Sequence, residues 1–78
     1  MTKLKKKIFQ VLIERDEDGI YVASVPELPG CHTQASSLDE LRTNITEAIE
    51  AYLESMQKEE KIGLEFIGLQ KIEVAVRE

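Results

Sequence analysis

The sequence is poor in every residue type that builds a covalent or metal framework. It has one cysteine, Cys31, and one histidine, His32, which excludes an intramolecular disulfide and a structural zinc site. Tryptophan is absent, and Tyr and Phe number two each. No apolar run approaches the length needed to cross a bilayer. Phosphate-cradling glycine loops and nucleophile elbows are missing too, because Gly63 and Gly68 flank no strand–helix junction of the required kind. Neither a cofactor nor a metal is expected. Lys3, Lys5, Lys6 and Lys7 resemble the start of a signal peptide, but Gln10 interrupts the next apolar stretch and residues 14–18 end it without a cleavage site. Residues 1–7 read instead as a basic segment that keeps a sheet edge soluble, on a cytoplasmic protein.

The chain, 78 residues long, also has little to bury and reads as one domain spanning residues 1–78. At 8.9 kDa it exposes about 12,900 Å² unfolded and about 4,800 Å² folded. If about 60% of the area removed is apolar, burial contributes on the order of 120 kcal/mol. Ordering the residues at about 1.5 kcal/mol each costs nearly the same. A second chain is therefore expected to supply part of the core. With 42% apolar and 32% charged residues the chain is globular.

What is abundant is negative charge. Fifteen Asp and Glu face ten Lys and Arg, a net charge of −5. From position 8 onward 15 carboxylates stand against 6 Lys and Arg, or −9. A body this acidic repels a phosphate backbone and attracts a basic protein, so no direct nucleic-acid binding is expected.

Residues 8–15 alternate as a strand, with Phe9, Val11 and Ile13 on one side and Ile8, Gln10, Leu12 and Glu14 on the other. Asp16-Glu17-Asp18-Gly19 is a turn in which Gly19 is free to take positive φ, and residues 20–25 form a second strand, giving an antiparallel hairpin. Residues 26–30 break the pattern with two prolines, and residues 31–35 supply a short third strand. Ser37 and Glu40 make a capping box, after which Leu38, Leu41, Ile45, Ala48, Ile49, Tyr52, Leu53 and Met56 recur at helical spacing for about five turns. Residues 57–61 with Gly63 close this helix. Residues 64–69 stay open between strand, turn and an arm reaching to another subunit. Ile72, Val74 and Val76 alternate with Lys71, Glu73 and Ala75 as a last strand.

The expected fold is α+β: β-β-β-α-β in a single sheet of order 3-2-1-4, with one helix on one face. One helix covers one face, yet the first two strands carry apolar residues on both. Either Ile8 and Leu12, or Phe9, Val11 and Ile13, must point away from it. Such a patch marks an interface.

Three clusters invite a chemical reading. Asp16-x-Asp18-Gly19 is a fragment of a calcium loop without the remaining ligands, and a plain acidic turn outweighs it. Cys31 and His32 are adjacent on a strand and point to opposite faces, the wrong spacing for a nucleophile and its base. Cys31 reads as a small buried hydrophobe and His32 as a polar residue opposite it. Glu47, Glu50 and Glu54 share one side of the helix, which is foremost a solvated face and secondarily an acidic strip for a basic partner.

The ordered set Asp18-Gly19-x-Tyr21-x-Ala23, Pro26-x-Leu28-Pro29-Gly30-Cys31, Ser37 with Asp39-Glu40, Asn44-Ile45-x-Glu47-Ala48-Ile49 and Tyr52-Leu53 resembles the HicB antitoxin family from about residue 7 to 76. Ala35 stands where a glycine is habitual, and Leu41-Arg42 replaces the usual Ala-Leu step. The sequence ends at Glu78, where many members continue into a helix-turn-helix or ribbon-helix-helix DNA-binding segment. The resemblance implies a stand-alone form with a partial ribonuclease-H-like fold lacking that enzyme's catalytic carboxylates. It implies a non-enzymatic role: binding a small basic HicA-type mRNA interferase and occluding its active site, as a homodimer or higher homo-oligomer. The expected contact residues are Asp16, Glu17, Asp18, Tyr21, Glu27 and His32, turn and strand positions that combine charge with one aromatic. Two alternatives stand beside this: an oligomerisation module without a toxin, and a divergent nuclease using Asp16, Asp18 and Glu47 with magnesium.

Overall fold

The structure, a computed structural model, describes residues 6–56 and 61–77. Three short strands come first: β1 (Leu12–Arg15), β2 (Tyr21–Ser24) and β3 (His32–Ala35). They form one antiparallel sheet in the order β1-β2-β3. One helix follows, α1 (Leu38–Ser55). The hairpin and the helix thus appear where alternation and helical periodicity place them.

Register settles which side of the sheet each residue occupies. Ile13 pairs with Ala23 and Ala23 with Thr33; Arg15 pairs with Tyr21 and Tyr21 with Ala35. These rows share the helix side, since Ala23 and Ala35 are buried in the core with Val25, Leu28, Cys31, Leu41 and Ile45. Phe9 and Val11 pack against that core as well. The opposite side carries the rows Leu12–Ser24–His32 and Glu14–Val22–Gln34. Of the two possibilities left open by the sequence, Leu12 is the one that points away from the helix.

The helix is specified locally. The Ser37 side chain accepts a hydrogen bond from the Glu40 backbone N–H at 3.2 Å, and Asp39 and Glu40 complement the positive end of the helix dipole. The Glu40 carboxylate accepts from the Ser36 hydroxyl at 3.4 Å. Only Ser36 and Ser37 separate β3 from α1, so the helix must start beside β3. The Asn44 amide then ties it there, donating to the Gln34 carbonyl at 3.3 Å. Accordingly α1 lies over β3 and β2, and no Cα of α1 comes within 8 Å of β1.

Two expectations are corrected. The first strand does not begin at residue 8: the Gln10 N–H donates to Glu27 Oε1 at 3.1 Å, and the Val25 N–H turns back to the Cys31 carbonyl at 3.1 Å. Pairing of β1 with β2 therefore stops at Leu12 and Ser24. The fourth strand does not form within this chain either. Residues 61–77 carry no strand, turn or bend, and the sheet has three strands instead of the order 3-2-1-4. The helix-closing segment at residues 57–60 lies outside the described residues, as do Lys3 and Lys5.

The surface area reflects the missing strand. The chain exposes 7554 Å², more than half again the roughly 4,800 Å² of a compact chain of this mass. Its radius of gyration is 15.6 Å, against about 11.5 Å for a compact domain of this length. Ile67, Ile72, Val74 and Val76 are 85, 76, 68 and 78% exposed.

Leu41→Ala removes a side chain only 1% exposed and is expected to cost about 3 kcal/mol in urea unfolding followed by circular dichroism. Ser37→Ala costs about 1 kcal/mol through the lost cap. Leu38→Ala, at 53% exposure, costs less than Leu41→Ala. The reverse order for the two leucines would contradict the placement of α1.

Candidate protein-binding site

The acidic hairpin tip is built by its first carboxylate. Asp16 Oδ1 accepts from the Asp18 and Ile20 backbone N–H groups, both at 2.9 Å. The Asp16 N–H donates to the Ile20 carbonyl at 2.9 Å, and the Gly19 N–H to the Asp16 carbonyl at 3.1 Å. Gly19 takes φ 82°, which lets the chain return with the twist of the strands. Asp16 thus folds the turn, whereas Glu17 and Asp18 stand exposed with no bond to its side chain beyond the Asp18 N–H.

The other expected contact residues lie elsewhere. Tyr21 is half-buried on the helix side of β2 and packs against the core. Glu27 is half-buried in the β2–β3 connection, where its carboxylate holds the Gln10 N–H. His32 is exposed on the opposite side of the sheet, in the row with Ser24 and Leu12. Arg15 and Tyr21 lie at the Asp16 end of the sheet, and Ser24 and His32 at the far end, about 10 Å away along β2. The six residues therefore occupy a tip, an interior wall, a loop and an outer face. They make no single pocket.

Glu47, Glu50 and Glu54 are exposed on α1. Among the described residues, no group of three or more His, Cys, Asp or Glu is close enough to hold a metal ion, so Asp16, Asp18 and Glu47 are not brought together. Nor is any described helix long and apolar enough to cross a membrane.

The feature that sequence reasoning missed is a groove of about 430 Å³ between α1 and the uncovered β1 side. Val11, Ile13, Leu38, Leu41, Ile45 and Ile49 line it. Helical periodicity identifies those apolar positions on α1, and strand alternation identifies Val11 and Ile13. What periodicity does not carry is the sideways offset of α1, which leaves the groove open. At the opposite end, Cys31 is buried in the core, and burial pushes its thiol above the ordinary value of 9.0 because the thiolate loses its hydration.

Comparison with known proteins places these features in a family. Residues 9–74 match the family described as HicB-like antitoxin of bacterial toxin-antitoxin system. A "UPF0150 protein" of Archaeoglobus fulgidus is 61% identical over 66 residues, covering 85% of this chain and 93% of that protein. One from Synechocystis is 51% identical over 71 residues, 91% of this chain and all of its own length. One from Thermotoga maritima is 46% identical over 70 residues, 88% of this chain and 92% of its own.

Asp16→Ala is expected to destabilise the protein by about 1–2 kcal/mol in urea unfolding, since two backbone donors lose a charged acceptor. Asp16→Asn keeps an Oδ1 acceptor and recovers most of that loss. For Cys31 the folded pKa lies above the unfolded one, so its contribution to stability is complete below pH 9.0 and declines as pH rises beyond it. Urea midpoints of the wild type should fall more steeply above that pH than those of Cys31→Ala. Equal slopes would show that the thiol is hydrated in the native state.

Proposed function

Because the chain belongs to the HicB-like antitoxin family, we propose that it binds a small basic HicA-type mRNA interferase and neutralises it by covering the active site. The observation that carries this reading is the family match over residues 9–74, joined to an acidic surface made of the hairpin tip and the outer side of α1. Steering is electrostatic: carboxylates draw in a Lys- and Arg-rich partner and orient it, and apolar side chains hold it in place. Asp16, Glu17, Asp18, Tyr21, Glu27 and His32 are the proposed contacts. Glu17, Asp18 and His32 offer free polar groups, while Asp16, Tyr21 and Glu27 shape the surface that carries them. The protein is one HicB-like domain, residues 1–78, of partial ribonuclease-H-like fold. It works in the cytoplasm, where mRNA is, as a homo-oligomer and without chemistry of its own.

Titrating the protein into an RNA-cleavage reaction run by its cognate small basic toxin tests the proposal. Cleavage should stop near stoichiometric addition, and unchanged cleavage at excess removes the antitoxin reading. Glu17→Lys with Asp18→Lys, which leave the Asp16 bonds in place, should slow association about 10-fold or more at low salt. The gap between the variant and the wild type should narrow as salt rises. RNA incubated with this protein and magnesium alone should remain intact.

A further inference from the structure

The chain carries an open groove and an unpaired apolar segment whose patterns fit each other. We infer that residues 71–77 form a β-strand along the β1 edge of a second copy of this chain, with Ile72, Val74 and Val76 seated over its groove. Two copies exchange these segments about a two-fold axis. The inference fixes how the homo-oligomer forms and holds whether or not a toxin is bound.

Three observations select the β1 edge. In the sheet order β1-β2-β3 one side of β1 has no neighbouring strand. On β3, by contrast, the Gln34 carbonyl is already taken by the Asn44 amide of α1. A largely apolar groove also opens beside β1, with Val11 and Ile13 on one wall and Leu38, Leu41, Ile45 and Ile49 on the other, joined by Asp39, Arg42 and Thr46 of α1. A strand added there places alternate residues over the groove. Ile72, Val74 and Val76 then face it. Lys71, Glu73, Ala75 and Arg77 fall on the outer side of the sheet, in the layer that holds Glu14.

The placement of the arm points to another copy as the occupant: none of residues 61–77 lines the groove of its own chain, and Ile72, Val74 and Val76 stand exposed. Ile62 packs against its own core, and Phe66 lines a recess together with Phe9 and Gln10. From there the chain runs to residue 77 without turn or bend. Residues 71–77 therefore run clear of the chain's own groove and leave it open to a second copy. Residues 61–77, extended at about 3.3 Å each, span on the order of 55 Å, which accounts for the 60 Å long axis. The surplus surface is also large enough: 7554 Å² minus roughly 4,800 Å² is about 2,700 Å², against about 800 Å² per partner in a standard interface. An exchanged pair is self-complementary and closes.

The test combines mass and cross-linking on the full chain. In sedimentation velocity the wild type should run as a dimer or a multiple of one. Val74→Glu should weaken association at least 100-fold while keeping the helical circular dichroism. Glu73→Gln, on the outer side, should leave association within a factor of three. Separately prepared Val11→Cys and Val74→Cys proteins, mixed and treated with a short bismaleimide, should give a cross-linked product containing one chain of each. That product decides the matter even if Val74→Glu fails to fold. A monomeric wild type, a dimer indifferent to a folded Val74→Glu, or a mixture of the two cysteine variants that yields no product joining one chain of each would overturn the inference.

Discussion

The sideways position of α1 is the constraint on which the rest depends. Two residues, Ser36 and Ser37, join the end of β3 to the start of the helix, and the Asn44 amide holds α1 to Gln34. A helix started that way covers the β3 and β2 side of the sheet and cannot also cover β1. Leu41 and Ile45 find the buried centre, while Leu38 and Ile49 are left on the wall of a groove. The same offset leaves Val11 half-buried and Ile13 exposed although their alternation marks them as core. Apolar surface left by so short a connection cannot be removed by side-chain adjustment; it needs another element of structure.

Charge is distributed by a separate logic. Asp16 and Glu27 are acidic but already engaged, each accepting backbone N–H groups that hold a turn or tie residue 10 to the β2–β3 connection. Their charge contributes to the field of the molecule, but their oxygen atoms are partly committed. Glu17, Asp18, Glu47, Glu50 and Glu54 are exposed at the tip and along the helix. The acidic perimeter and the apolar groove therefore occupy different parts of the surface. One suits a basic partner through long-range attraction, and the other suits short-range packing.

Much of this was legible in the residues. Alternation in residues 8–15 and 20–25, the polar turn with Gly19 and the Ser37–Glu40 cap specify the hairpin and the helix, because each is a local device acting over a few residues. The order of three strands followed as well. The expected fourth strand is absent from this sheet: the alternation of Ile72, Val74 and Val76 is a local pattern, and nothing local states which edge, if any, it pairs with. The start of β1 was misplaced for a related reason, since the Gln10 N–H is claimed by a carboxylate 17 positions away. The contact residues were chosen by type and predicted exposure. Tyr21 and Glu27 belong half inside the fold, a fact set by register and by the β2–β3 loop, neither of which periodicity contains.

In the proposed exchanged dimer the two surface classes coexist. Each chain carries −5, so bringing two together opposes itself electrostatically, and the favourable term must be apolar. The arm helps in a second way, because Lys71 and Arg77 on its outer side enter the layer of Glu14. Seating the arm over the groove consumes Val11, Ile13 and the α1 wall but leaves Glu17, Asp18 and the helix carboxylates exposed. Self-association of the proposed kind would therefore not compete with capture of a basic protein; it would supply the burial a chain of this size lacks and present the acidic surfaces in duplicate. Under the proposed exchange, a fold too small to complete its own sheet would gain its stability and its second binding surface from the same contact.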